Sequence, residues 1–175
     1  ADNGLTLADM RGLDYDDPKW DLLLDQLTVD EMTNMIALCG YQTPAMESVG
    51  KVQTLDMDGP AAINNNFTGY GSLGLPVEIV IANTWNKDLA TRWGETMGQM
   101  CVEMGIQGWY APAMNTHRSP FGGRNYEYFS EDGVLAGRIA ASAVTGAMNK
   151  GVYSYIKHFA AYDFNGKMVC VWTNE

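Results

Sequence analysis

Cysteine is scarce and scattered: Cys39, Cys101 and Cys170 are the three in 175 residues. An odd number at such separations supplies neither a disulfide framework nor a zinc-binding spacing. Histidine is scarcer, with only His117 and His158, so no metal site and no other cofactor is expected. No apolar run approaches the roughly 18 residues that a membrane helix needs, which excludes membrane from the expected partners. The start, ADNGLTLADMRG, has neither a basic n-region nor an apolar core, so it does not read as a signal peptide. A reducing, cytoplasmic setting is the simplest expectation. Positive charge is also short: 11 Lys and Arg stand against 21 Asp and Glu, a net charge of −10. An acidic chain repels phosphate backbones, so nucleic acid is excluded as a partner. No Gly-rich phosphate fingerprint lies between a strand and a helix, which disfavours a phosphate-binding open sheet.

The composition that remains is that of a folded chain. Hydrophobic residues make up 46% and charged ones 18%, enough to bury a core. The acidity is concentrated at the start, where residues 1–31 hold nine acids against two bases, Arg11 and Lys19. Residues 1–26 are read as an acidic linker or lead-in segment, and 27–175 as the domain proper.

Periodicity and caps mark the elements. DDPKWDLLLD (16–25) is expected to be helical, with Pro18 in the first turn. Thr28-Val-Asp-Glu31 is a capping box, flanked by Leu27 and Met32 at the positions of a hydrophobic staple, and opens a helix that should run to about Cys39. Four stretches are expected to be extended: KVQTLDMD (51–58), VEIVIA (77–82), IQGWYAPAM (106–114) and VYSYIKH (152–158). Two strong helical stretches separate them. One spans 84–104 and carries Trp85, Leu89, Trp93, Met97, Met100 and Met104 at roughly helical spacing. The other spans 132–149, opens at Asp132 and ends before Gly151. Strands alternating with helices predict an α/β fold with parallel strands and crossover helices. A complete (β/α)8 barrel typically takes about 250 residues, so this chain is read as a partial barrel, roughly the first half.

Polar residues cluster after the strands, at the end where such folds carry their chemistry. Asp58 closes the first expected strand before a Gly-Pro turn, where a carboxylate can accept two hydroxyls. The densest polar stretch is NTHRSPFGGRNYEYFSED (115–132). In it Gly122-Gly123 bends the chain before Arg124, whose planar fork suits vicinal hydroxyls, a contact with Asp58, or a surface ion pair with Glu127 or Glu131. Lys157 and His158 end the last strand, and adjacent residues on a strand face opposite ways unless the strand stops there.

Four segments together resemble the family 3 glycoside hydrolases, the β-glucosidase group: DMDGPAA, IANTWNKDLATRWGETMGQMCVEMG, APAMNTHRSPFGGRNYEYFSEDGVLAG and GVYSYIKHFAAYD. The likeness runs from about Leu27 to Asp163. It implies that Asp58, Arg124, Lys157 and His158 bind the hydroxyls of the non-reducing-end sugar, with Asn64, Arg118 and Glu127 in support. Two departures stand out. Asn64 occupies a position where family members often carry an arginine, and Tyr162 replaces an asparagine after the lysine–histidine pair.

A retaining glycosidase needs two carboxyls about 5–5.5 Å apart. The resemblance implies that the nucleophile is an aspartate in a Ser-Asp-Trp-like segment, which is absent here, and that the acid/base glutamate also lies outside this region. Glu127, Glu131 and Asp132 are read instead as loop-stabilising and helix N-terminal groups. No catalytic residue is therefore assigned within the chain. The expectation is a fragment of a retaining β-glucosidase, acting on a β-glucoside or oligosaccharide and supplying the hydroxyl-binding half of its site. Its structural partners would be the rest of the barrel and a further sheet domain. The alternative is a non-catalytic carbohydrate-binding or assembly module that needs a complementary half-barrel or associates with itself.

Overall fold

In the computed structural model, residues 1–65 and 67–158 are described, and they fall into two units, Ala1–Asp56 and the part from Met57 onward. The first unit opens with a 3₁₀ turn, Leu7–Met10, followed by helices α1 (Lys19–Leu24) and α2 (Val29–Ala37) and strand β1 (Gln42–Thr43). Its buried centre is Met10, Leu23 and Val49, with Leu5, Leu13, Trp20, Leu27 and Met46 packed around them. Gln26 is buried and ties this unit together. Its amide donates to Leu5 O (2.6 Å) and Ser48 O (3.1 Å), and its Oε1 accepts from the amides of Asn3 and Leu5 (both 2.9 Å). The capping box forms as the sequence predicts: Thr28 Oγ1 accepts from the Glu31 amide (3.1 Å), and Glu31 Oε2 accepts from the Thr28 amide (2.9 Å).

Strand β2 (Thr54–Asp58) crosses the division between the units. Its first residues pair antiparallel with β1, Gln42 opposite Leu55 and Thr43 opposite Thr54. This hairpin was not legible in the sequence, because β1 is only two residues long. The strand order is β1-β2-β3-β4, with β3 (Gly108–Tyr110) and β4 (Tyr153–Ser154) parallel. The 17-residue helix α5 (Gly133–Asn149) connects these two, so β3-α5-β4 is a parallel unit with a helical crossover.

The stretch 77–82, expected to be a strand, is helix α3 (Glu78–Ala82). A short β-branched run is ambiguous by pattern alone. What decides it is burial: Glu78, Ile81 and Ala82 face inward, a spacing of three and four that only a helix satisfies. Helix α4 (Lys87–Glu103) starts later than expected, capped by Asn86, whose Oδ1 accepts from the Leu89 amide (3.0 Å). Trp85 therefore lies outside the helix, 75% exposed and at φ 55°. Helix α5 starts where predicted, with Asp132 Oδ1 accepting from the Leu135 amide (2.8 Å).

Helices α4 and α5 pack along a seam of small residues. A Cβ on Gly94 would sit 2.0 Å from Ala143 O, and one on Gly146 would sit 2.1 Å from Thr91 O. Two glycines therefore set the separation of the helices. Beneath them, the ring of Trp93 lies 5.6 Å from that of Trp109. The indole N–H of Trp109 donates to Gly59 O (2.8 Å), and that of Trp93 to Pro76 O (3.0 Å). The first of these bonds fastens the turn after β2 to β3, fixing where Asp58 ends up. The resemblance noted beyond residue 158, with Tyr162 and Cys170, and Asn66 lie outside the described residues.

Candidate functional site

All of the polar side chains singled out after the strands belong to the second unit. Asp58 is the last residue of β2 and keeps 45% of its side chain exposed. Lys157 lies in a stretch that still pairs with the end of β3, through a parallel bridge to Ala113. Its backbone is held by Lys157 N–H to Pro112 O (3.1 Å) and Met114 N–H to Lys157 O (2.7 Å). The Lys157 side chain is only 7% exposed, and its Nζ donates to Asp58 Oδ1. The same ammonium lies 5.0 Å from the centre of the Tyr110 ring, a cation–π contact that helps hold a desolvated charge. Nothing in the sequence singles out Tyr110 for this contact.

His158 forms the second half of the cluster. Regular pairing stops at Lys157, and the Lys157–His158 peptide is cis. The backbone N–H of His158 donates to Asn115 Oδ1. His158 Nε2 is 3.4 Å from Arg124 Nη2, and Nδ1 is 3.2 Å from the Tyr128 hydroxyl. Arginine has no acceptor, so Nε2 must accept and the ring proton sits on Nδ1, donating to Tyr128. Burial, with the Arg124 and Lys157 charges beside it, holds the imidazole below its usual value, which agrees with a neutral ring.

Arg124 follows the Gly122-Gly123 bend. Gly122 is tight, because a Cβ there would fall 2.5 Å from Asn125 Oδ1, and Asn125 Nδ2 in turn donates to Ser119 O (2.7 Å). Of the alternatives open for Arg124, the contact seen is with Glu127: Nε donates to Oε1, with side-chain exposures of 29% and 5%. Glu127 is thus occupied in orienting Arg124, and Asp58 is held by Lys157 instead. Asn64 is exposed, and its amide donates to Asp58 O (3.3 Å). Arg118 is exposed and makes no ion pair among the described residues. Asp132 caps α5, and Glu131 is exposed.

The cluster brings together Asp58, Lys157, His158, Arg124 and Glu127, with Asn115, Tyr110 and Tyr128 beneath it. Asn115 could have been suspected from its place in the polar stretch. Nothing in the sequence marks Tyr128 as a partner of the cluster. Two opposite charge pairs and a neutral imidazole leave the cluster balanced. It offers charged acceptors and donors without net charge, which suits a neutral ligand rich in hydroxyls better than an ion. Among the described residues, no group of three or more His, Cys, Asp and Glu could hold a metal ion, and no helix is long and apolar enough to cross a membrane.

Comparison with known proteins identifies the family. The glycosyl hydrolase family 3 N terminal domain matches residues 60–169. A probable β-glucosidase H of Emericella nidulans is 42% identical over 108 residues, covering 61% of this chain and 13% of its own length. β-Glucosidase A of Butyrivibrio fibrisolvens is 37% identical over 116 residues, covering 66% of this chain and 14% of its own. Among solved structures, β-glucosidase 3B of Thermotoga neapolitana in complex with glucose superposes with a TM-score of 0.73 at 36% identity, over 83% of this chain and 24% of that one. The Kluyveromyces marxianus β-glucosidase in complex with glucose gives 0.76 at 31%, over 82% and 18%. The chain therefore spans a quarter or less of the length of these relatives. With its mixed α/β sheet and helical crossover, it has the fold of part of their barrel. A match over residues 60–169 of 175 places this chain in glycoside hydrolase family 3, in the N-terminal part of its (β/α)8 barrel domain.

Proposed function

We propose that this chain supplies the hydroxyl-binding half of a β-glucosidase active site, with Asp58, Lys157, Arg124 and His158 as the sugar ligands. The observation that carries the reading is the convergence of a half-exposed carboxylate, a nearly buried ammonium, a guanidinium and a neutral imidazole in one charge-balanced cluster. Asp58 accepts from two hydroxyls while the Lys157 ammonium holds its side chain in place. Arg124, steadied by Glu127, and His158 donate to or accept from the neighbouring hydroxyls. Asn64 and Arg118 support the surrounding loops. Two relatives of known structure were solved with glucose, which makes a terminal β-D-glucosyl residue the natural ligand to test.

In the whole protein, the reaction would be hydrolysis with net retention through a glycosyl–aspartate intermediate. The carboxylates of the described cluster are engaged, Asp58 with Lys157 and Glu127 with Arg124. On this reading the nucleophile and the acid/base lie outside these 175 residues, and the isolated chain does not hydrolyse an aryl β-glucoside. Protein-dependent hydrolysis by the isolated chain would overturn that assignment. Glucose titration of the full natural polypeptide checks the site: Asp58→Ala is expected to weaken binding by about 100-fold, the loss of two charge-assisted bonds.

The second reading, an assembly module, draws on a tyrosine surface that adjoins the cluster through Tyr110. Tyr155 contacts Tyr110 with tilted rings and Tyr153 edge to face (5.8 and 5.5 Å between centroids), and all three are 37–40% exposed. A complementary half-barrel or a second copy would cover them, and sedimentation of the isolated chain separates a self-associating species from a monomer.

A further inference from the structure

Glu78 has no part in the reading above, yet it is the most completely buried charged-type residue described, at 0% exposure. It is the first residue of α3, and α3 packs against the Asn125–Glu127 turn, α4 and α5. Both carboxyl oxygens are buried, and neither makes a hydrogen bond among the described residues. The amides of Glu78 itself and of Ala113 lie near enough to favour the charged form, but not in bonding geometry. The charged groups that bear on it are Glu127, from the Asn125–Glu127 turn, and Lys157, from the stretch after β4; α4 and α5 contribute none. An ionised carboxylate so placed, with no donor, is costly. Burial pushes the acid up to about 8, so it is neutral at neutral pH.

The two charged residues that bear on Glu78 are the anchors of the cluster: Glu127, on the turn that α3 packs against, holds Arg124, and Lys157 holds Asp58. A negative charge on Glu78 would repel Glu127 and draw Lys157 away from Asp58. We propose that Glu78 is a positioning residue of the hydroxyl-binding cluster, a neutral acid behind it that leaves each anchor to its own partner and whose ionisation switches sugar binding off. This rests on the reading of the cluster as a sugar site.

The test is glucose affinity of the full natural polypeptide, measured calorimetrically from about pH 6 to about pH 9.5, with Glu78→Gln and Asp58→Ala alongside. Wild-type affinity is expected to fall about tenfold per pH unit above pH 8, the slope of one proton. Glu78→Gln, which stays neutral at the same shape, should bind as wild type does at low pH and remain flat across the range. A profile for Glu78→Gln that follows the wild-type decline overturns the proposal. The infrared band of a protonated carboxyl supplies a measurement that needs no variant: it should vanish from the wild type over the same pH range as binding. Binding that falls while the band persists also overturns the proposal. Asp58→Ala separates the two ideas. If it abolishes binding while Glu78→Gln tracks the wild type, only the role of Glu78 fails. If it leaves binding intact, or the wild type does not bind glucose, the sugar site itself fails and the proposal with it.

Discussion

The two units handle a buried or engaged glutamate in opposite ways. In the first, Glu31 is solvated yet saturated with donors. The Ser48 hydroxyl (2.6 Å) and amide (2.9 Å) and the Thr28 amide (2.9 Å) all reach it, and they draw its acid down to about 2. In the second, Glu78 has burial without donors and is driven up to about 8. Identical side chains therefore answer to different forces: hydrogen bonds to the charged form in one place, loss of water in the other. The contrast extends to the architecture around them. The first unit is joined by side chains that satisfy backbone groups, Gln26 above all, whereas the second is joined by close packing of small residues and tryptophans.

This contrast can be broken experimentally. The largest expected effect is the pH response of the second unit. Glu78 binds a proton in the folded state that the unfolded chain releases above 4.5. Its stabilising contribution is thus complete below that value and declines as pH rises toward about 8, at up to roughly 1.4 kcal/mol per pH unit. Hydrogen exchange of the α3 amides, corrected for intrinsic rate, should show protection falling over this window in the wild type and holding steady in Glu78→Gln.

Next in size is the helix seam. Gly94→Ala would place a Cβ 2.0 Å from Ala143 O and should cost about 3 kcal/mol by overpacking. Gly137→Ala in α5 meets nothing within 4 Å and should gain about 0.5 kcal/mol from helix propensity. Urea unfolding midpoints of the pair compare them directly. In the first unit, Gln26→Ala should cost about 2 kcal/mol, because it leaves partly buried backbone groups of Leu5 and Ser48 without partners. Proteolysis within residues 1–56 should then accelerate while cleavage elsewhere does not.

The smallest effect expected is at Glu31. Its depressed acid stabilises the fold above 4.5, and that contribution disappears as pH falls from 4.5 toward 2. Glu31→Gln should flatten the acid limb of the α2 exchange profile and leave the alkaline decline at α3 unchanged.

Local chemistry made much of this legible. The Thr28–Glu31 box and the Asp132 cap announce α2 and α5, because capping needs only residues three apart. The polar end of the sheet was visible as well, since Asp58, Arg124, Lys157 and His158 all stand just past strands or sharp turns. Where the reading failed, long-range packing had decided. VEIVIA is helical because positions 78, 81 and 82 meet the interior. Trp85 leaves the helix because Asn86, not Asn83 or Thr84, caps it.

Sequence by itself determined the capped starts of α2 and α5, the charge balance and which side chains could serve a hydroxyl-binding site, because each follows from residues near one another in the chain. Only tertiary structure decided who holds whom. Lys157 reaches Asp58 across 99 residues, and His158 meets Arg124 across 34. No spacing rule encodes such pairs. They exist because the parallel pairing of β3 and β4 and the Trp109–Gly59 bond bring three distant chain segments together. Glu78 is the plainest case. Nothing in its neighbours along the chain marks it as neutral; burial beneath that convergence does.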